Sequence, residues 1–160
     1  MCMKYVNTNV QCFECGTPGI LGRSDFSHMI SEVDSRKKDD FVTIGEFNVV
    51  VFINIRGTQS GNDLENPLDM GKKLKFLIRL TKVDTNEDNQ LSYTLGEFDI
   101  DLSDMNIRQH ACFPYVEQIQ VLKIDNLLLK ESGNYVIKVL VKEDGESFYD
   151  VQITHPLKVK

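Results

Sequence analysis

Cysteine and histidine side chains that could bind a metal ion occur in two short groups. Cys12 and Cys15 have the Cys-x2-Cys spacing of zinc knuckles and redox pairs, and His110 and Cys112 could supply two further ligands. Four such ligands would complete a tetrahedral zinc site. The second pair lacks a standard ligand spacing, however, and cysteine is often a small buried hydrophobic residue. The pattern therefore leaves two interpretations, a zinc site or a turn with incidental thiols.

Oxygen-bearing side chains alternate at Asp84, Asn86 and Asp88, as they do at the start of a calcium-binding loop. The twelfth position of such a loop is Leu95, where a bidentate glutamate belongs. The flanking segments also have the pattern of strands rather than helices. We therefore expect a hairpin turn rich in Asx residues at this position, with a calcium site as the alternative.

Residues for nucleophilic or acid–base catalysis form no recognisable motif. The three histidines, His28, His110 and His155, have no nucleophile or orienting carboxylate at a familiar spacing. His155 precedes Pro156 near a predicted strand end, where we expect it to be exposed. No phosphate-binding glycine loop or zinc-protease motif is present. The sequence thus predicts a protein that is not an enzyme and holds no cofactor.

Hydrophobic alternation predicts the elements that would position these groups. Residues 73–83 and 134–142 place apolar side chains at every second position, which is typical of half-buried strands. We expect about eight strands, at most one short helix within residues 24–40, and a surface loop over residues 57–71. This pattern indicates a single domain over residues 1–160, an all-β antiparallel β-sandwich with Greek-key connections of the Ig-like or C2-like kind.

The longest apolar run, residues 41–56, differs from the other predicted strands because both of its faces are apolar. Val49, Val51 and Ile53 lie on one side, and Val50 and Phe52 lie on the other. We therefore expect one central strand whose second face is covered by other elements or by a partner chain. Val50 and Phe52 are the predicted partner-facing residues.

The last third of the chain carries a recognisable succession of segments. Residues 119–124 precede three leucines at 127–129, and the step Glu131-Ser-Gly-Asn-Tyr135 leads to a hairpin at Asp144 and Gly145. With an expected N-terminal hairpin around residues 19–22 and the long strand around Val49, the chain resembles an uncharacterised family of small bacterial Ig-like or C2-like β-sandwich domains. The resemblance implies a fold and supplies no catalytic residues.

Composition and charge narrow the classes of partner. The formal net charge is −6, with the 18 basic residues scattered, which disfavours a nucleic-acid surface. No signal sequence, membrane span or basic amphipathic helix is apparent, so we expect a cytoplasmic protein without a membrane partner. The sequence predicts an interaction module that binds a protein partner or self-associates. The alternative is a metal-binding module using zinc or calcium.

Overall fold

The computed structural model describes residues 6–14, 30–56, 58–60, 63–66, 73–83, 90–102, 108–109, 114–143, 147–150 and 154–160. Strands account for most of these residues, and no helix of an α type occurs among them. In chain order the strands are β1 (Val6–Glu14), β2 (Glu32–Val33), β3 (Ser35–Lys38), β4 (Phe41–Ile44), β5 (Phe47–Arg56), β6 (Thr58–Ser60), β7 (Asp63–Asn66), β8 (Lys73–Lys82), β9 (Ser92–Asp101), β10 (Arg108–Gln109), β11 (Pro114–Ile124), β12 (Leu127–Leu129), β13 (Gly133–Glu143), β14 (Tyr149–Asp150) and β15 (His155–Val159).

Two main sheets are built from these strands. Sheet 1 has the order β1-β5-β11-β10, and sheet 2 has the order β2-β15-β13-β8-β9, with β14 also paired to β13. All of these pairs are antiparallel except the parallel pair of β2 with β15. The chain crosses between the sheets several times, since β5 and β11 belong to sheet 1 and β8, β9 and β13 to sheet 2. The predicted all-β antiparallel sandwich is confirmed.

The core lies between the two sheets and follows the predicted alternation. Buried side chains from both sheets form one cluster that includes Val10, Val49, Val51, Ile53, Ile55, Phe76, Ile78, Leu80, Ile137, Val139 and Val141. Strands β9 and β11 of the two sheets approach closely at Gly96: a Cβ placed there would lie 3.1 Å from Leu122 Cδ1. Burial of this apolar surface is the main contribution to stability.

The apolar run of residues 41–56 forms two strands instead of the single strand that we expected. β4 ends at Ile44 and β5 begins at Phe47, so Gly45 and Glu46 interrupt the run. β4 pairs with β3 and β12 in a separate three-stranded sheet, whereas β5 is the strand between β1 and β11. A glycine inside an apolar run weakens a strand and allows this change of sheet.

Two further segments differ from what we expected. Residues 24–40 were expected to hold at most one short helix or an irregular crossover; residues 24–29 lie outside the described residues, and in the remainder β2 and β3 occupy residues 32–33 and 35–38. Pairing with β15 and β4 favours strands there. Residues 57–71 were expected to form a loop, but β6 and β7 pair as a small hairpin within them. With these short strands, the described residues hold well over the eight strands that we expected.

His155 lies inside the structure, although we expected it to be exposed. Its residue exposure is 8%, and Nε2 lies 2.8 Å from the carbonyl oxygen of Ile30. Since a carbonyl only accepts, the imidazole donates this hydrogen bond. This hydrogen bond joins β15 to the segment that precedes β2. His155 therefore has a structural partner.

Hydrogen bonds around Tyr135 explain the Glu131-to-Tyr135 step. The Tyr135 hydroxyl donates to the carbonyl oxygen of Glu131 at 2.6 Å, and the Lys130 amide donates to the Tyr93 hydroxyl at 2.9 Å. Lys82 Nζ contacts Glu131 Oε1 at 2.6 Å. These bonds fix the turn between β12 and β13. The tyrosine in this sequence step therefore has a clear structural function.

Candidate functional site

Strand β11 has an unusual position in sheet 1. One side pairs with β5 along its length, whereas β10 covers the other side only at Pro114 and Tyr115. Along residues 116–124, no strand of the described ranges pairs on the side that faces away from β5. We call this side the β11 edge. An edge of this kind presents backbone N–H and C=O groups that another strand can bind.

The outer face of sheet 1, opposite the core, carries an apolar patch next to the β11 edge. The register places Ile119 beside Phe52 and Val121 beside Val50. Ile119 is 60% exposed and Val121 is 39% exposed. We call Val50, Phe52, Ile119 and Val121 the outer patch. Ile119 is the most exposed large hydrophobic side chain in the described part of the chain.

The two predicted partner-facing residues both lie in the outer patch, but neither is fully exposed. Val50 is only 1% exposed and Phe52 is half-buried. A partner would therefore meet Ile119 and Val121 first. The sequence pattern did not single out Ile119 and Val121, because β11 has apolar residues on both faces, with Val116, Leu122 and Ile124 facing the core side. The alternation of Ile119 and Val121 with Gln118 and Gln120 did not show which face is exposed, because the two glutamines lie on the core side.

Charged residues flank the outer patch along β11. Glu117 and Lys123 lie on the same face as Ile119 and Val121, at opposite ends of the exposed segment. Both are exposed, and Lys123 Nζ lies 3.6 Å from Glu46 Oε2. Opposite charges at the two ends make the segment electrostatically asymmetric along its length. This asymmetry restricts how a second strand can align with it.

Two other edges of the main sheets, those of β9 and β1, carry features that oppose strand addition. Strand β9 carries Glu97 and Asp101 in ion pairs with Lys75 and Lys73 of β8, and a register shift between Ile78 and Arg79 distorts the pairing. Charges and bulges of this kind are common ways of blocking edge pairing. On β1, the carbonyl of Cys12 already accepts the amide of Ile30 at 2.8 Å. The β11 edge differs because its neighbouring face is apolar.

A depression of about 600 Å³ lies at the end of sheet 1 where Thr8, Ile53 and Gln118 are adjacent in the register. Thr8 is 3% exposed. Within the described residues, neither Thr8 Oγ1 nor Gln118 Oε1 has a hydrogen-bond partner. A buried polar atom without a partner costs about 1–3 kcal/mol. This end of the core is therefore less stable than an apolar one would be.

We expect Thr8→Val to raise the free energy of unfolding by about 1 kcal/mol, because it removes the desolvated hydroxyl while keeping the branched shape. Urea denaturation followed by circular dichroism measures the change. Thr81→Val is the matched control: Thr81 is 5% exposed and its Oγ1 lies 3.2 Å from Ser92 Oγ. That substitution should destabilise the protein. A loss of stability in Thr8→Val as large as the loss in Thr81→Val would contradict this explanation.

Of the predicted zinc ligands, the structure describes Cys12 alone. Its side chain is fully buried in the core, and burial raises the pKa of the thiol from 9.0 to about 12. Cys15, His110 and Cys112 lie outside the described residues, as do Asp84, Asn86 and Asp88. In the described ranges, no three metal-binding side chains of the His, Cys, Asp or Glu types lie together. Zinc and calcium binding stay predictions.

No helix in the part of the chain that the structure describes is long and apolar enough to cross a bilayer. No family model matches the sequence, and no curated protein matches it. Among solved structures, the chain is similar to the CooA pilin subunit from enterotoxigenic Escherichia coli at 12% identity and a TM-score of 0.37. The alignment covers 95% of this chain and 99% of that chain. A similarity at this level carries no argument about function.

Proposed function

We propose that this protein is a non-enzymatic interaction module that binds an extended segment of a protein through the β11 edge and the outer patch. The observation that supports the proposal is the exposed Ile119 on a strand that, among the described residues, has no pairing strand along residues 116–124 of one side. Backbone groups along this side can pair with an added strand, and such pairing gives affinity. The apolar side chains beside it select which strand is bound.

Packing explains why the outer patch is suited to binding. Ile119 and Val121 stand directly beside Phe52 and Val50, so an added strand would extend an existing row of apolar side chains. Cross-strand pairs of β-branched and aromatic residues stabilise sheets by about 0.2–1 kcal/mol each. Covering Ile119 and Val121 would also remove apolar surface from water. Strand addition therefore combines backbone and side-chain contributions.

The double substitution Ile119→Lys/Val121→Lys tests this function. We expect it to weaken partner binding by about tenfold or more, because lysines on an edge strand oppose strand addition. Both side chains are exposed, so stability should change little. The measurement is a quantitative pull-down with immobilised wild-type and variant protein, in which bound proteins are compared by mass spectrometry.

Phe41→Lys/Leu128→Lys is the matched control for this experiment. Phe41 is 44% exposed and Leu128 is 45% exposed, and they belong to β4 and β12 of the separate three-stranded sheet. The control variant adds the same charge but leaves β11 unchanged, so it should retain the wild-type partners. Equal retention by both variants would refute a role for the β11 edge. A wild-type protein that is strictly monomeric and retains no partner would refute the interaction function itself.

A further inference from the structure

The sequence of β11 is complementary to itself when two copies are placed antiparallel. Residues 117–123 read Glu-Gln-Ile-Gln-Val-Leu-Lys, with Gln120 at the centre. Pairing about Gln120 puts Glu117 opposite Lys123 of a second copy and Ile119 opposite its Val121. The two-fold relation repeats both pairs. Each cross-strand pair on the outer face is therefore either oppositely charged or apolar.

Resting on the function proposed above, we propose that the strand bound by the β11 edge is β11 of a second copy of this chain, paired antiparallel with Gln120 opposite Gln120. The two copies then share one continuous sheet in the order β1-β5-β11-β11-β5-β1. An apolar row crosses the junction from Phe52 and Ile119 of one copy to Val121 and Val50 of the other. This arrangement is a closed two-fold dimer, which leaves no further β11 edge for filament growth.

Neighbouring registers are less favourable. A shift that places Ile119 opposite Ile119 also places Glu117 opposite the apolar Val121. A shift that places Val121 opposite Val121 brings Glu117 opposite Asp125, which is a pair of like charges. A slip by a single residue places the outer face of one copy beside the core face of the other. The register centred on Gln120 is the one that places opposite charges beside each other and apolar side chains beside each other on the outer face.

The expected affinity follows from the size of the contact. One pair of strands forms a smaller interface than the roughly 1,600 Å² of a standard stable complex. We therefore expect a dimer that dissociates in the micromolar range. Lys123 Nζ lies 3.6 Å from Glu46 Oε2 in an exposed ion pair. Exposed pairs contribute little free energy, so the Lys123 side chain can turn toward Glu117 of the second copy at little cost in stability.

Charge reversal tests the register by sedimentation velocity over the micromolar range. Glu117→Lys and Lys123→Glu should each weaken the dimer about tenfold, because each places like charges opposite one another at two positions. The combination Glu117→Lys/Lys123→Glu should restore wild-type dimerisation. Ile119→Lys/Val121→Lys should be monomeric, and Phe41→Lys/Leu128→Lys should dimerise normally. A wild-type dimer that none of the β11 variants weakens would overturn the proposal.

Disulfide trapping gives an independent test that does not depend on affinity. Directly opposite residues in an antiparallel pair have Cα atoms about 4.5–5.5 Å apart, a distance that a disulfide spans. Gln120→Cys should therefore form a covalent dimer on mild oxidation. Gln118→Cys is the matched control. In this register Gln118 lies opposite Leu122 of the second copy, so the two introduced cysteines are four residues apart along the strand, roughly 13 Å. Both variants keep the same native cysteines.

The results separate this inference from the proposed function. Covalent dimers of Gln120→Cys but not of Gln118→Cys would support the self-paired strand. A wild-type monomer, with no Gln120→Cys dimer, would overturn it. If Ile119→Lys/Val121→Lys then still loses pull-down partners, the edge binds another protein and the proposed function stands. If that variant retains the same partners as the wild-type protein, the proposed function fails as well. It also fails if the wild-type protein retains no partner.

Discussion

Phe76→Ala is expected to lower the free energy of unfolding by about 4 kcal/mol, the range found for removing a large buried aromatic side chain. Phe76 has no exposed surface and lies on β8, an interior strand of sheet 2, opposite Val141 of β13 and Phe98 of β9. Its ring stacks on Phe98, with centroids 5.0 Å apart and an interplanar angle of 6°. Chemical denaturation in urea measures the loss.

Phe98→Ala is the matched control for that experiment. The Phe98→Ala variant loses the same ring stack. Phe98, however, lies on the edge strand β9 and is only half-buried. The cavity that remains is therefore open to water, and we expect the loss to be less than half that of Phe76→Ala. Equal losses in the two variants would contradict the placement of Phe76 at the centre of the core.

Stability is expected to fall steeply as the pH rises above about 9. Burial raises the pKa of the Cys12 thiol from 9.0 to about 12, and burial is also the main cause that raises the pKa of Tyr135, with Tyr93 and Glu131 adding to it. Both groups are neutral when protonated, so the unfolded chain loses these protons at lower pH than the folded chain does. The stabilisation is fully present below the unfolded pKa values and is lost as the pH approaches the folded ones.

The contribution of Cys12 to this pH dependence can be isolated by substitution. A single buried thiol contributes at most about 1.4 kcal/mol per pH unit in the window between its two pKa values. Cys12→Ala removes this contribution, so its unfolding free energy should depend less steeply on pH between 9 and 12 than that of the wild-type protein. Urea denaturation at a series of pH values measures both slopes. Identical slopes would show that Cys12 is not buried as described.

The strands with strict alternation were the most predictable part of the fold. The pairing of β8 with β9 was predicted because turn-forming residues join two amphipathic runs. In contrast, the interruption at Gly45 and Glu46 was not predicted, because apolar residues continue on both sides of that glycine. Strand partners such as β15 for β2 are fixed by contacts distant in sequence, which local patterns do not contain.

The sequence pointed to the outer face of β5 but not to the exposed residues beside it. The two-sided apolar character of β5 indicated an unusual outer face, and Val50 and Phe52 do lie there. The exposed members of the outer patch, Ile119 and Val121, became evident only once the register with β5 was known. Whether a strand is central or lies at an edge depends on the whole sheet order. No property of β11 alone shows which of its sides pairs with a described strand.

The central claim is that the β11 edge pairs with β11 of a second copy, and amide hydrogen exchange by NMR tests it most directly. In a monomer, every second amide of residues 117–123 points away from β5 and should exchange rapidly. We predict that these amides become protected as the protein concentration rises through the micromolar range, and that they stay unprotected in Ile119→Lys/Val121→Lys. Rapid exchange of the same alternate amides at every concentration, identical in wild-type and variant protein, would contradict the claim.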